Sequence, residues 1–425
     1  MTKLKRQYIL PMAMMFGMFF MLSFVTGLQN PMGVIVRNQF GVSNFLSQLG
    51  NAANFIAYLC MGIPTGMILQ RIGYKRTALI AILVGIAGLV TSYISGIVGS
   101  FAVYVAGAFI SGFSMCMLNS TVNPMVNTMA GGGSKGNQFL QYGGTLNSLG
   151  ATIVPILVGS FIGDATRSTI SDATPALIIA LCIFVAAFIV LALIKLPEPH
   201  IIKKDDNPSD EDGHRSPLSY RHFVFGIIAI FFYVGVEVSI PNIANLYMTS
   251  DVDMGGLHLG AGLAGSIVGT YWFLMLIGRF IGATLSTKIS PRKMLAGVNI
   301  IAICLVLLAI FLPNPMVKVP IFNGGFHFAM QEIPLNIFML ILCGLCTSVM
   351  WGNIFNLAVE NLGKHTAAAS GIFMTMVCGG GILPMIQGLV ADNVGYINSY
   401  FVTIVGLLIM LWYAVSGSKI KGQKQ

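Results

Sequence analysis

The sequence predicts an all-α membrane protein of twelve transmembrane helices in two six-helix bundles, and three observations carry that prediction. Of the 425 residues, 56% are hydrophobic and only 9% are charged, whereas a soluble domain carries about 25% charged residues. Apolar runs long enough to cross a bilayer recur along the whole chain. The basic residues then fall on alternate sides of those runs. A water-soluble fold of this size would need many more charges to cover its surface, so lipid is the expected solvent for most of it.

A helix needs about 20 apolar residues to cross the hydrocarbon layer. Runs of this kind span 8–29, 47–70, 77–95, 98–127, 138–163, 175–195, 223–248, 260–287, 294–312, 335–360, 367–391 and 399–416. Lys3, Lys5 and Arg6 precede the first run as they would in a signal peptide. The run is long and no small-residue cleavage site follows a short core, so it is expected to stay as the first span. With the N-terminus cytoplasmic, 20 of the 23 basic residues fall on the inner side, and only Arg37, Arg167 and Lys318 fall outside. This bias matches the positive-inside rule and is independent of the apolarity that defines the spans. Both termini are therefore expected in the cytoplasm, in a bacterial inner membrane.

One long hydrophilic stretch, 196–222, divides the spans six and six. It contains Lys203-Lys204-Asp205-Asp206 and Asp210-Glu211-Asp212, and reads as a solvated linker between bundles 1–195 and 223–425. The halves echo one another. Gly150, Pro155 and Gly159 recur at the same spacing as Gly379, Pro384 and Gly388, and the basic turn Arg71, Lys75, Arg76 has a counterpart in Lys288, Arg292, Lys293. Internal repeats with binding between them are the architecture of rocking secondary transporters.

Other classes find little support. The net charge of +9 is spread over short loops and forms no stripe that could track phosphates, so no nucleic-acid partner is expected. All seven cysteines lie in apolar segments. Cys343-x-x-Cys346 has no partner pair or nearby histidine and reads as helix packing. No metal site, cofactor, phosphate-binding loop or nucleophile–base constellation stands out, so an enzyme is not expected. Any transport would be driven by gradients, in a chain expected to act as a monomer in the lipid bilayer.

Polar groups in hydrocarbon are costly unless they meet each other, water or a ligand. Asn119, Asn123 and Asn127 follow at i, i+4, i+8 and share one helix face. Gln29-Asn30 closes the first span, and Gln138, Gln141, Asn147, Asn242, Asn245, Asn353 and Asn356 add further amides. A carboxamide is both donor and acceptor, which suits vicinal hydroxyls. Tyr142, Trp272 and Trp351 could stack on a sugar ring. The competing reading is that these amides join helices together. Glu237 is the one acid well inside a span and reads as an isolated carboxyl, a candidate proton carrier. Arg279 is read as lying at the cytoplasmic end of its span, with Arg71, Lys75, Arg76 and Lys288 as loop charges that gate. With no mid-span cation to hold an anion, a neutral substrate is favoured.

These residues resemble the fucose/glucose–galactose permease family, whose founding member is an L-fucose–proton symporter, within the major facilitator superfamily. The resemblance runs through Ile63-Pro-x-Gly66, Asn123-Pro124, Leu146-Asn-Ser-Leu-Gly150, Tyr233-Val-Gly-Val-Glu237 and Gly278-Arg-Phe-Ile-Gly282. It continues through Ser348-Val-Met-Trp-Gly-Asn-Ile-Phe-Asn356 and Gly379-Gly-Gly-Ile-Leu-Pro384. It implies the two-bundle facilitator fold, alternating access and import of a neutral monosaccharide such as fucose, glucose or galactose, with a proton as coupling ion. The resemblance marks Asn147 as a sugar-facing amide, and with the span amides Gln29, Asn30, Asn119, Asn123, Gln141 and Asn353 it makes up the expected substrate-binding set. The family's proton-linked members place acids where this chain has Asn30 and Asn119, and a glutamine where it has Gly144. Coupling through Glu237, coupling through another ion and uncoupled facilitation therefore all stay open. An acidic sugar such as a sialic acid is the alternative substrate, and a non-transporting sugar sensor the rival class.

Overall fold

The computed structural model describes residues 8–42, 49–162, 169–198, 216–322 and 327–420. Its helices are α1 (Ile9–Phe40), α2 (Leu49–Val98), α3 (Phe101–Ala130), α4 (Gly133–Ile162), α5 (Thr174–Leu193), α6 (Arg221–Thr249), α7 (Ala261–Leu285) and α8 (Pro291–Phe311). A hairpin of β1 (Met316–Phe322) and β2 (Phe328–Pro334) follows. The chain ends in α9 (Leu335–Thr347), α10 (Met350–Ala358), α11 (Thr366–Thr375), α12 (Gly379–Val394) and α13 (Tyr400–Trp412).

Among the described residues, ten helical stretches are long and apolar enough to cross a membrane. One of them, Ala52–Val98, is 47 residues long. It is two legs joined at Gly73, whose φ of 83° no helix interior adopts. The amide- and glycine-rich α4, 30 residues long, completes the set of twelve. α9 with α10, and α11 with α12, each form one broken crossing. Glycine is needed at Gly73 because the second leg restarts there. The freed amides of Tyr74 and Lys75 donate to the carboxylate of Glu198 at 2.7 and 3.0 Å, and Lys75 Nζ reaches Ala192 O at 2.7 Å.

Contacts gather the chain into two compact units. The first comprises Met1–Gly132, Leu146–Tyr220 and Val359–Met376, and the second Gly133–Thr145, Arg221–Ala358 and Val377–Gln425. The first turns of α4 thus pack with the later helices, and α11 with the earlier ones.

The repeated glycines have equivalent roles in the two units. In the first, a side chain at Gly150 would collide with Ser23 of α1; in the second, one at Gly379 would collide with the main chain of Phe231 of α6. Each glycine lets one helix lie directly against another, the small-residue packing typical of membrane helices. Pro155 and Gly159 lie in α4, with side chains outside the described residues.

The hairpin was not expected from the sequence. Its strands pair antiparallel, with Lys318 opposite Glu332 and Phe322 opposite Phe328. Phe322 stacks on Phe273 of α7 with ring centroids 4.9 Å apart, and its main-chain N–H donates to Thr270 Oγ1 at 2.9 Å. Before α5, Thr169 donates to the exposed Asp172 carboxylate through its main-chain N–H and its hydroxyl. These bonds, the main-chain one foremost, hold that carboxyl below the usual carboxylate range.

Candidate functional site

The first unit carries an amide face on α3. Asn119 Nδ2 donates to Tyr58 OH of α2 at 2.8 Å and to Met115 O at 3.1 Å. Asn123 Nδ2 donates to Asn119 O at 2.9 Å, so the two amides follow each other along one face. Asn119 is half-buried and Asn123 fully buried. On α4, Asn147 Nδ2 donates to Phe19 O of α1 at 3.1 Å and leaves its carbonyl oxygen available as an acceptor. Gln29 and Asn30 belong to α1, but their side chains lie outside the described residues.

The second unit is organised by a break in its tenth crossing. Between α9 and α10 the helix is interrupted by a turn at Ser348–Val349, and side-chain donors add to the main-chain hydrogen bonds there. Gln141 Nε2 and Asn353 Nδ2 both donate to Val349 O at 2.8 Å, and Arg279 Nε donates to Ser348 O at 3.3 Å. Asn137 Nδ2 donates to Asn353 Oδ1 at 2.8 Å and to Ser286 Oγ at 2.9 Å, and Asn356 Nδ2 to Gly133 O at 2.8 Å. Gln141 and Asn353, grouped by sequence with the substrate-facing amides, are buried in this knot at 2% and 0% exposure. Asn137 was missed. Its only sequence signal is that it precedes Gln141 by four residues, one helical turn.

Glu237 is not isolated, which corrects the sequence reading. Tyr233 OH donates to its Oε1 at 2.7 Å, and Arg279 Nη2 lies 3.4 Å from the same oxygen. Tyr271 OH donates to the Glu237 main-chain carbonyl at 3.2 Å and meets Thr347 Oγ1 at 2.9 Å. Arg279 therefore belongs inside α7 as a partner of an acid, not among loop charges. Its Nη1 also donates to Gly144 O at 3.0 Å. Sequence reasoning measured depth along one helix and had no means of seeing that α7 brings a guanidinium to the same place. Trp351 packs edge-on against Tyr233, with centroids 6.2 Å apart. Trp272 packs on Tyr271, and Tyr142 on Phe139.

The remaining predicted charges stay at the ends of helices. Arg71, Arg76 and Lys288 are exposed, while Lys75 is tied down at Ala192 O. Among the described residues no group of His, Cys, Asp or Glu could hold a metal ion, and Cys343 and Cys346 are free buried thiols.

Residues 15–385 match the family model of the Major Facilitator Superfamily. The chain belongs to that superfamily. It is a multi-pass membrane transporter of the facilitator fold. Its sequence is similar to a glucose/galactose transporter of Brucella abortus, 29% identical, with 98% of this chain and 96% of the relative covered. It is also similar to the L-fucose-proton symporter of Escherichia coli, 25% identical, with 92% of this chain and 89% of the relative covered. Its fold is similar to the crystal structure of the facilitator FucP in the outward conformation, with a TM-score of 0.81 and 23% identity, covering 97% of this chain and 100% of that one.

Proposed function

We propose that this facilitator imports a neutral monosaccharide of the glucose, galactose or fucose type by alternating access, coupled to a proton. The observation that carries this reading is full-length similarity to a protein named a glucose/galactose transporter. The geometry fits it. The half-buried amides of α3 and α4 present paired donors and acceptors suited to hydroxyl groups. The one guanidinium of the second cluster is offset by Glu237, so the cluster offers no net charge to an anionic substrate.

In this reading Gln29, Asn30, Asn119, Asn123 and Asn147 contact the sugar, and Gln141 and Asn353 join them when the knot opens. Glu237 takes up the coupling proton, and Arg71, Lys75, Arg76 and Lys288 act in gating loops. Bundles 1–195 and 223–425 rock about the site on linker 196–222. The protein works as a monomer in a bacterial inner membrane with both termini in the cytoplasm.

The test is uptake of labelled D-glucose, D-galactose and L-fucose into proteoliposomes at two pH values, with competition by neutral and acidic sugars. Uptake blocked by acidic but not neutral sugars would replace this reading with the sialic-acid alternative. Asn119→Ala and Asn147→Ala should each cut uptake about tenfold, the value of one or two lost hydrogen bonds, at unchanged membrane levels. Wild-type uptake in both variants would remove those amides from the site. Glu237→Gln should abolish accumulation against a gradient, and intact accumulation would end the candidacy of Glu237.

A further inference from the structure

Arg279 touches three elements at once. Its guanidinium meets Glu237 of α6 at 3.4 Å, the Ser348 carbonyl at the helix break at 3.3 Å and the Gly144 carbonyl of α4 at 3.0 Å. The absence of a side chain at residue 144 lets the arginine lie close against α4. A Cβ there would stand 3.2 Å from Arg279 Cδ, tighter than ordinary contact, and 3.5 Å from Nε, so the arginine would have to give by a few tenths of an ångström. The side chains of Arg279 and Glu237 are only 12% and 14% exposed, so little water is available to solvate either charge in place. Removing one partner of such a pair leaves the other as an uncompensated buried charge, a strongly unfavourable state.

We propose that Arg279 carries the proton signal from Glu237 to α4, holding the Glu237 carboxylate and the Gly144 carbonyl together until a proton releases it. A proton arriving from water converts the carboxylate to the neutral acid. The guanidinium keeps its own proton, loses its counter-charge and must turn to water or substrate hydroxyls, which frees the α4–α7 contact. This mechanism rests on the proton-coupled reading above and adds to it the residue that links proton to movement.

The titratable groups around the carboxylate are few among the described residues. Tyr233 shares its helix, and Arg279 and Tyr271 face it from α7. The thiols of Cys343 and Cys346 on α9 stand beyond Tyr271. α12 packs nearby through Leu383 on Gly235 and brings no charge there.

The test uses the full chain in liposomes and two readouts. In the first, Arg279→Lys, Arg279→Gln and Gly144→Ala are assayed for labelled D-glucose accumulation under an inward acid gradient and for exchange without one. Each variant should lose about tenfold more accumulation than exchange, the equivalent of about 1.4 kcal/mol. Accumulation with the wild-type pH profile in Arg279→Gln would overturn the proposal. The second readout needs no sugar. In a Trp272→Phe/Trp412→Phe background, Trp351 fluorescence should titrate through its neighbour Tyr233. The transition should vanish in Glu237→Gln and move by about one pH unit or more in Arg279→Lys, the equivalent of about 1.4 kcal/mol. A transition unmoved in Arg279→Lys would overturn the proposal. Absence of sugar uptake in the wild type, with the fluorescence shift present, would overturn the sugar reading alone.

Discussion

Gly371→Val should nearly abolish sugar exchange in proteoliposomes while the protein still reaches the membrane. Within the first unit α2 and α11 meet backbone to backbone. A Cβ at Gly371 would fall 2.5 Å from the Gly62 carbonyl oxygen and 2.6 Å from Gly66 Cα, and a side chain at Gly62 would collide with Thr375. These are main-chain atoms and cannot step aside, so the two helices themselves must separate. Overpacking of this kind costs about 1–3 kcal/mol, which shifts a two-state equilibrium about 5- to 150-fold. A transport cycle that opens and closes this contact needs both forms to be populated. A variant denied the closed form should lose exchange, and Gly62→Ala should act in the same direction. Wild-type exchange in Gly371→Val at normal membrane levels would remove the contact from the cycle.

Glu237→Ala should be worse than Glu237→Gln. Alanine removes the acceptor of the Tyr233 hydroxyl and strands the Arg279 guanidinium, which is 12% exposed. Breaking such a pair costs about 3–5 kcal/mol, enough to lower the melting temperature of the detergent-solubilised protein clearly. Glutamine keeps an acceptor for Tyr233 and fits the space but also leaves the guanidinium without its counter-charge, so it should cost less stability than alanine while losing accumulation. The double variant Glu237→Ala/Arg279→Ala should recover part of the stability lost in Glu237→Ala. Equal melting temperatures for Glu237→Ala and wild type would show that the pair contributes nothing to the fold.

The spans were legible because the hydrocarbon layer demands length and apolarity, and both are properties of a local stretch of sequence. The exceptions were places where an element is too polar, too short or broken. α4, read as the run 138–163, starts earlier, at Gly133, because its first turn with Ser134, Lys135 and Asn137 is too polar to count as part of an apolar run. The hairpin hid in what was read as a connection, although Asn323-Gly324 between Val-Lys-Val-Pro-Ile-Phe and Phe-Ala-Met-Gln-Glu-Ile is a strong hairpin signal. The amide face of Asn119 and Asn123 could be read from spacing alone, because i and i+4 share a helix face. The pairing of Glu237 with Arg279 could not, since the two residues are 42 positions apart and meet only through packing of α6 on α7. Gln141 and Asn353 read from the sequence as substrate-facing amides, but both donate to the Val349 carbonyl at a helix interruption that no side chain announces.

The hairpin gives the protein a grip on a segment that is not one of its crossing helices. Its N–H bond from Phe322 to Thr270 Oγ1 and the Phe322–Phe273 stack leash it to α7. Thr270 lies nine residues before Arg279 on that helix, a rise of roughly 14 Å. A nanobody raised against the Lys318–Glu332 surface would therefore hold the arginine's helix from a distance, without entering the bilayer. Such a clamp could arrest one stage of the working cycle for imaging, and a fluorophore at the same place would register each tilt of that helix in single molecules.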